Sequence, residues 1–284
     1  MGRRISRETT RLGFVGLGNL GSPMATALVR DGWRLAVYDR DPQRADGLGA
    51  EVVDEPAAIA DCGVLALAVP DDQAVAEILD ELVPLLAADS VVLIHSTILP
   101  ATAKRLAEQA ESRGLALLDV PVSGGAERAL SGSLTVMAGG RAEVLDQVRP
   151  VLDSVADTVI HAGPAGAGAA VKLANQLMMF AALAGVQEAL DLACAYGVPE
   201  QVVLEAVSTS TGDSWITRNW GFFDRVAAAY DSAGTPVKDR PWSKDLWDIV
   251  AAARDCDVQV PLAGLLSQQL ADRVEAHARK GSGP

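Results

Sequence analysis

A lysine and two amides stand at helical spacing in a stretch that is otherwise almost entirely apolar. Lys172, Asn175 and Gln176 occupy positions i, i+3 and i+4, which places them on one face of a helix within reach of a common point. An apolar setting removes water from an ammonium group and lowers the pKa of a lysine, which suits it to exchange a proton near neutral pH. The stretch predicts a proton-transfer site; the alternative is a lysine that extends its amine to solvent beside a capping amide.

The helix that carries these side chains is predicted to be long. Three glycines among alanines, Gly163, Gly166 and Gly168, mark a turn into it, and residues 167–195 contain no proline and only one further glycine. Most of these residues lose little rotamer freedom in a helix. At about 1.5 Å per residue the helix would span roughly 40 Å, so we expect it to connect two parts of the molecule.

A glycine-rich turn near the start of the chain indicates a second kind of chemistry. Residues 12–15 predict a buried strand and residues 22–30 a helix. The glycine spacing between them suits a dinucleotide, because it permits a tight turn, close approach of the pyrophosphate to the backbone, and close packing of helix on strand. The predicted cofactor-binding residues of this turn are Gly16, Leu17, Gly18, Asn19, Leu20 and Gly21.

Asp39 and Arg40 follow the second predicted strand, residues 33–38, and bear on the choice of cofactor. An acid at this strand end hydrogen-bonds the ribose hydroxyls of NAD, and its charge repels the 2′-phosphate of NADP. Arg40 could instead receive that phosphate. The sequence therefore favours NAD and leaves NADP open, and a simple charged turn is the structural alternative.

Further apolar segments alternate with helical ones up to about residue 161. Strands are expected at residues 64–69, 91–95, 115–120 and 134–138, and helices at residues 73–86, 100–113 and 142–152. Strands that are apolar throughout and separated by helices indicate a mainly parallel, doubly wound sheet covered on both faces. Ligands of such sheets lie beyond the carboxyl ends of the strands. Val69, Pro70, Ser96 and Thr97 are therefore predicted to line the cofactor site.

The turn at Ser123, Gly124 and Gly125 also follows a predicted strand. Glycines at a helix start expose several backbone N–H groups, which suits the turn to hold a carboxylate; an ordinary strand-to-helix turn has the same pattern. Beyond residue 196 the helical period dominates, with helices expected at residues 199–207, 243–254 and 261–279 and a loop at residues 231–241. Trp215 and Trp242 are candidates to wall a pocket, although core or interface positions also explain the tryptophans of this half.

Length and composition limit the function classes. The chain has 284 residues, 49% hydrophobic residues and a formal net charge of −13, which indicate about two domains and argue against nonspecific binding to nucleic acid or anionic membrane. Three well-separated cysteines predict buried thiols and neither a disulfide framework nor a metal site. The sequence shows no secretory signal and no apolar run near the roughly 20 residues of a membrane span, so we expect a cytoplasmic protein.

The predicted organisation has four parts. They are a disordered tail (residues 1–11), a Rossmann-type dinucleotide-binding domain (residues 12–163), a long connecting helix (residues 164–196) and an all-α C-terminal domain (residues 197–284). The last part is expected to complete the active site and to form an oligomer interface.

Taken together, five motifs in order resemble those of the β-hydroxyacid dehydrogenases, the short relatives of 6-phosphogluconate dehydrogenase that include 3-hydroxyisobutyrate dehydrogenase and tartronate semialdehyde reductase. The motifs lie at residues 16–21, 96–97, 119–125, 166–176 and 244–246, and the resemblance extends from residue 12 to about residue 279. It implies hydride transfer between a nicotinamide cofactor and a short 3-hydroxy acid or its semialdehyde. It also implies a homodimer or homotetramer that associates through the helical half.

Carried onto this sequence, the resemblance makes Lys172 the acid/base catalyst and assigns the substrate carboxylate to Ser123, Gly124 and Gly125. Oxidation of an alcohol needs a base for its hydroxyl proton, and the reverse reaction needs an acid for the nascent alkoxide. The lysine interpretation from the helix stretch and the family pattern therefore agree.

Other positions of the family pattern lie further along the chain. Asn175, with Gln176, would bind the reacting oxygen, and Lys244 would close the site from the second domain. Residues 220–242 depart from the family pattern, and Trp215 makes the predicted substrate pocket more apolar than a small polar acid needs. An imine or atypical aldehyde reductase and a noncatalytic dinucleotide-binding protein are the alternative functions.

Overall fold

A computed structural model of the chain describes residues 5–281, with side chains through residue 279. Two compact units divide the chain, Met1–Lys172 and Leu173–Pro284. Residues 1–4 of the predicted tail and the last three residues of the chain lie outside the described part. The rest of that tail differs from the disorder expected: Ile5 is buried in the core, and the Ser6 N–H donates to Thr10 Oγ1 at 3.2 Å.

The first unit is built on a mostly parallel sheet. Its strands are β1 (Arg11–Val15), β2 (Arg34–Tyr38), β3 (Glu51–Val52), β4 (Val64–Leu67), β5 (Val91–Ile94), β6 (Ala116–Asp119), β7 (Val122–Ser123), β8 (Leu134–Gly139) and β9 (Ala156–Gly163). They follow the order β3-β2-β1-β4-β5-β6-β8-β7, with β9 paired to β8. Strands β1 to β6 run parallel, whereas β8 runs antiparallel to β6 and β7. The order from β3 to β6 is that of a doubly wound dinucleotide-binding sheet, as predicted.

Helices cover both faces of this sheet and give the first unit two cores. Along β4, Val64 and Ala66 belong to one core and Leu65 and Leu67 to the other. A strand buried on both faces has to be apolar at every position, which is why these strands could be read from the sequence. The helices of this unit are α1 (Gly21–Arg30), α2 (Asp72–Leu82), α3 (Pro100–Glu111), α4 (Gly125–Ser131) and α5 (Ala142–Leu152).

Helix α6 (Ala167–Ala195) covers the proline-free run from which a long helix was predicted, and it lies within the predicted connecting helix, residues 164–196. It begins in the first unit and continues into the second, since the boundary between the units falls after Lys172. In the part of the second unit that the structure describes, residues 173–281, the regular elements are all helices. Its other helices are α7 (Glu200–Val207), α8 (Trp215–Arg218), α9 (Phe222–Ser232), α10 (Pro241–Asp255) and α11 (Pro261–Gly281).

The segment before α10 is anchored by a buried ion pair. Arg240 and Glu275 are only 4% and 6% exposed, and Arg240 Nη1 lies 2.9 and 3.0 Å from the two carboxylate oxygens. Arg240 also donates to the Thr235 carbonyl and to Asp231, and Trp242 Nε1 donates to Glu275. Asp231, predicted to begin the loop at residues 231–241, lies within α9, which extends to Ser232. Breaking a buried pair costs several kcal/mol, about 3–5, because one charge is left without a partner.

By length and composition α6 could cross a membrane, so the prediction that no apolar run is long enough is wrong. The mean hydropathy of its most apolar window is 1.5. Part of α6 packs within the units: Ala169 contacts one core of the first unit, and Leu173, Phe180 and Leu183 the core of the second, while 22% of its most apolar window is buried.

The cysteines differ from the uniform burial expected. Cys62 is buried, and burial raises the pKa of its thiol to about 12, so the thiol stays protonated. Cys194 and Cys256 are exposed.

His95, which follows β5, makes the stability of the fold depend on pH. Its ring is buried and stacked on Phe14, with Nδ1 3.1 Å from the Val120 carbonyl oxygen, and burial lowers its pKa to about 4. The unfolded chain binds a proton at His95 below about pH 6.5, whereas the folded chain does so only near pH 4. The stability that His95 contributes is therefore fully present above pH 6.5 and is lost as the pH falls towards 4, by about 3 kcal/mol.

We predict that His95→Asn, which keeps an N–H donor but cannot titrate, flattens this dependence. Urea unfolding between pH 7 and pH 4 should show the free energy of unfolding of the wild type falling more steeply than that of the variant, by up to about 3 kcal/mol. Parallel pH curves for the two proteins would contradict the prediction.

Candidate functional site

The glycine turn after β1 has the close backbone approaches that a dinucleotide turn requires. Gly16 has φ +96°, and a Cβ built there would lie 2.4 Å from the Ala68 carbonyl oxygen. A Cβ at Gly21 would lie 1.9 Å from the Gly16 carbonyl oxygen. At Gly18, by contrast, only Arg44 Nη1 comes near, at 3.6 Å. Gly16 and Gly21 thus hold strand and helix together, and Gly18 leaves open space in front of the backbone, which fits a bound pyrophosphate.

Asp39 ties the end of β2 to this turn. Its Oδ2 accepts the Leu17 N–H at 2.6 Å, and Arg44 Nε lies 3.9 Å from Oδ1. Arg40 is exposed and lies 3.4 Å from Glu77 of α2. Arg44 was not among the predicted site residues, although its position in the charged turn after Asp39 and its proximity to Gly18 make it a further candidate for contact with a phosphate.

The polar residues predicted at strand ends lie along one edge of the sheet. Strands β2, β1, β4 and β5 are neighbours and run parallel, so their carboxyl ends share that edge. There the Val69 N–H donates to Ser96 Oγ at 2.9 Å. Pro70 and Asn19 are exposed, and Thr97 is half-buried. Leu20 precedes α1 as its N-cap residue.

The predicted carboxylate turn combines a short strand with a helix start. Ser123 ends β7 and pairs with Thr135 of β8. Gly124 has φ +139° and Gly125 has φ +74°, a region that favours glycine, and Gly125 opens α4. The backbone therefore needs glycine at both positions.

Asp119, at the end of β6, connects this region to α6. The side chain is fully buried; Oδ1 accepts the Gly166 N–H and Oδ2 the Ala169 N–H, both at 2.8 Å. Burial raises the pKa of this carboxyl, while the two N–H donors act in the opposite direction. Asp119 lies in the motif at residues 119–125 but was not predicted as a site residue. The available signal was a carboxylate at the end of an apolar strand.

Lys172 lies on the second turn of α6 and is 8% exposed. It follows the Asp119-bound residue Ala169 by three positions. The first unit thus contains the predicted catalytic lysine, the carboxylate turn and the dinucleotide turn.

The predicted residues of the second unit form a polar network on α6 and α10. Asn175 Nδ2 lies 3.4 Å from Gln176 Oε1, and Gln176 Nε2 donates to Asp245 Oδ2 at 2.6 Å. Lys244 Nζ lies 2.6 Å from Asp248 Oδ2 and 3.4 Å from Asp245 Oδ1. Asp245, which is buried, was not predicted as a site residue although it directly follows Lys244.

The two candidate wall tryptophans differ in position. Trp215 is 42% exposed, and its ring packs edge to face on Phe222 with the centroids 5.0 Å apart. Trp242 is fully buried in the core of the second unit, so it walls no open pocket. Residues 5–281 contain no cluster of three or more metal-ligating side chains.

Two family models divide the chain between them. Residues 11–163 match the NAD binding domain of 6-phosphogluconate dehydrogenase, and residues 166–283 match the NAD-binding domain of NADP-dependent 3-hydroxyisobutyrate dehydrogenase. A 3-hydroxyisobutyrate dehydrogenase of Pseudomonas aeruginosa is 33% identical over 280 residues, 95% of this chain and 94% of that protein. The chain belongs to the 3-hydroxyisobutyrate dehydrogenase family.

Members of this family resemble the chain over nearly its whole length. An NAD-dependent L-serine dehydrogenase of P. aeruginosa is 35% identical over 266 residues, 90% of this chain and 89% of that protein. The solved structure of Mycobacterium tuberculosis 3-hydroxyisobutyrate dehydrogenase with L-serine has a TM-score of 0.81 and 28% identity, and covers 95% of each chain. The predicted family and fold are confirmed, and the chain is an oxidoreductase of the hydroxyacid dehydrogenase class that uses a nicotinamide dinucleotide.

We predict that Gly21→Ala weakens dinucleotide binding in this dehydrogenase. The new Cβ would have to push α1 away from the Gly16 carbonyl, at a cost of about 1–3 kcal/mol, and would raise the Kd for NAD by roughly 10- to 100-fold. Isothermal titration calorimetry measures the Kd. Gly264→Ala is the matched control, because a Cβ there meets nothing within 4 Å. Equal NAD affinity in the two variants would contradict the prediction.

Proposed function

We propose that the chain oxidises a short 3-hydroxy acid to its semialdehyde, or reduces the semialdehyde, with Lys172 as the general acid/base. The observation that carries this proposal is the burial of Lys172 on α6, in the same unit as the dinucleotide turn. A buried amine close to the Asp119-held helix start has a defined position, which proton transfer to a reacting oxygen requires.

The residues of the chain divide the work as follows. The cofactor, when bound, accepts or returns the hydride. Lys172 Nζ takes the proton of the substrate hydroxyl during oxidation and returns a proton to the alkoxide during reduction. Ser123 and the N–H groups of Gly124 and Gly125 hold the carboxylate and so orient the substrate carbon.

For the second unit, the proposed roles are those that the family resemblance implies. Asn175 donates a hydrogen bond to the reacting oxygen. Gln176 supports Asn175 from its bond to Asp245, and Lys244 assists at the cofactor. Trp215, exposed and backed by Phe222, contacts the apolar part of the substrate.

NAD is the proposed cofactor. The Asp39 carboxylate is fixed by the Leu17 N–H at the end of β2, where it can accept both ribose hydroxyls and would repel a 2′-phosphate. Arg40 is exposed and pairs with Glu77 at 3.4 Å, and Arg44 Nε lies 3.9 Å from Asp39 on the Oδ1 side, opposite the oxygen bound by Leu17. A 2′-phosphate would therefore face a carboxylate first.

The substrate class follows from the carboxylate turn and is tested with a panel. L-serine and 3-hydroxyisobutyrate, which the relatives named above use or bind, should be oxidised faster with NAD than with NADP, and the matching alcohols without a carboxyl group should not react. Turnover of cyclic imines without any need for a carboxylate would establish the reductase alternative. Tight NAD binding with no turnover of any compound would establish a noncatalytic protein.

We predict that Lys172→Met, which keeps the side-chain length without the amine, lowers kcat by about 10²- to 10⁴-fold because proton transfer is lost. The Kd for NAD should stay unchanged. Stopped-flow and steady-state kinetics measure kcat, and calorimetry measures binding. Lys104→Met on α3, an exposed lysine, is the control. Wild-type kcat in Lys172→Met would remove the catalytic assignment.

We also propose that the protein is a cytoplasmic homodimer or homotetramer assembled through the helical unit. Three apolar side chains of α6, Val171, Met178 and Leu192, stand seven and then fourteen residues apart and are 40–67% exposed. Residues seven apart share one helix face, so they form an apolar stripe. An exposed stripe of this kind is typical of a protein–protein interface.

The stripe predicts the effect of charge on assembly. The double variant Met178→Glu/Leu192→Glu should dissociate the oligomer, because it would bury carboxylates without partners. Light scattering after size exclusion measures the mass. Leu85→Glu, at an exposed apolar position of the first unit, is the control. A wild type that is monomeric, or a double variant of unchanged mass, would contradict the interface.

A further inference from the structure

We propose that Asp119 is a positioning residue: by binding the first turn of α6 with both carboxylate oxygens, it sets the place of Lys172 relative to the carboxylate turn at Ser123–Gly125. The proposal rests on the function proposed above. It assigns a role to a side chain that needs no contact with substrate or cofactor.

Two hydrogen bonds join Asp119 to the start of α6. Asp119 Oδ1 and Oδ2 each accept a different N–H of the α6 start, from Gly166 and Ala169, at 2.8 Å. Helix starts leave their first N–H groups without intrahelical partners, and a neighbouring serine, threonine or asparagine commonly serves as cap. Here the cap comes from a strand 47 residues earlier in the chain.

Backbones pack closely around this contact. A Cβ at Gly139 would lie 2.5 and 2.6 Å from the two Asp119 carboxylate oxygens. A Cβ at Gly168 would lie 2.3 Å from the Met137 carbonyl oxygen and 2.6 Å from that of Asp119. Strands β6 and β8 therefore approach α6 as closely as backbones without side chains allow, and the helix start has no room to shift while the two N–H bonds persist.

The residues joined by these hydrogen bonds lie only a few positions from the carboxylate turn and from Lys172. Asp119 precedes Ser123 by four residues, and Ala169 precedes Lys172 by three, less than one helical turn. Any tilt of the first turn of α6 moves the Lys172 amine, and any movement of the β6 end moves the carboxylate turn. The Asp119 side chain therefore links the helix turn that precedes Lys172 to the strand end that precedes the carboxylate turn. Lys172 and the carboxylate turn must hold the reacting oxygen and the substrate carbon, and a displacement of about 1 Å can cost 100-fold in rate.

The burial of Asp119 supports the same assignment. A carboxyl with no access to water loses hydration energy, and burial raises its pKa. Such a group persists in a fold where its hydrogen bonds compensate for that loss.

The test compares Asp119→Asn with Ser154→Ala in the full-length protein. Asparagine keeps one acceptor oxygen and turns an N–H₂ group towards a backbone N–H. Ser154 is a buried hydroxyl of the same unit that accepts a hydrogen bond from Trp33 and contacts Asp31, so its loss destabilises the fold without touching α6.

With 3-hydroxyisobutyrate and NAD, Asp119→Asn is expected to lower kcat by about 10- to 100-fold while the Kd for NAD changes by less than about threefold. The pH at which kcat is half-maximal is expected to shift, because the surroundings of the Lys172 amine change. Ser154→Ala should lower the Tm and leave kcat and the pH profile unchanged. A folded Asp119→Asn protein with wild-type kcat and pH profile would overturn the proposal.

Hydrogen exchange measured by mass spectrometry gives a second readout that needs no activity. In the wild type, amides of residues 166–172 should exchange at least about 100-fold slower than an uncapped helix start, which normally opens readily. Asp119→Asn should release this protection and Ser154→Ala should not. Fast exchange in the wild type would overturn the proposal even if Asp119→Asn fails to fold. A wild type without dehydrogenase activity would refute the proposed function alone, since the exchange measurement still decides whether Asp119 holds the helix.

Discussion

The buried carboxylate of Asp119 supplies the hydrogen-bond acceptors that the first N–H groups of α6 need from the rest of the first unit. A long helix that starts inside a protein brings N–H groups out of water, and each one left without an acceptor costs about 1–3 kcal/mol. Asp119 accepts two of them from the end of β6. The glycines at positions 139 and 168 are the condition for this contact, because any side chain there would separate strand from helix. The location of the helix start, and with it that of Lys172, follows.

The dinucleotide edge of the sheet obeys a related rule. Where β1, β2, β4 and β5 end, side-chain oxygens bind backbone N–H groups of neighbouring turns: Asp39 binds Leu17, and Ser96 binds Val69. These bonds satisfy donors that the strands no longer pair and fix the loops relative to one another. A rigid edge of this kind presents its glycine turn in one conformation, so little conformational entropy has to be lost when a dinucleotide binds.

Local sequence patterns identified much of this fold because its signals are themselves local. The bounds of α6 followed from a run without proline, and the strands of the parallel sheet from side chains apolar on both faces. Strand β9 escaped detection because half of its residues are exposed and only one is buried, so its sequence lacks the apolar run of the other strands. Helices α8 and α9 lie in residues 215–232, where aromatic and glycine residues interrupt the helical period.

Contacts at the candidate site that join residues far apart in the sequence could not be predicted from local patterns. Motif spacing singled out the glycine turn after β1, the turn at Ser123–Gly125 and Lys172 as candidates, but the bond from Gln176 to Asp245 joins residues 69 positions apart. The contact of Asp119 with α6 and the burial of Trp242 likewise depend on tertiary packing. A sequence periodicity of two or 3.6 residues indicates a strand or a helix but not which elements pack together.

The ion pair between Arg240 and Glu275 affects which substitutions the segment before α10 can tolerate. The segment before α10 ends at a point where Arg240 is held by Glu275 and Asp231, and where Trp242 also donates to Glu275. Because the exit of the segment is fastened, mutations upstream of it can accumulate without displacing Lys244 or Asp245. A segment fastened at its exit therefore tolerates substitutions along its length while the start of α10 keeps its position.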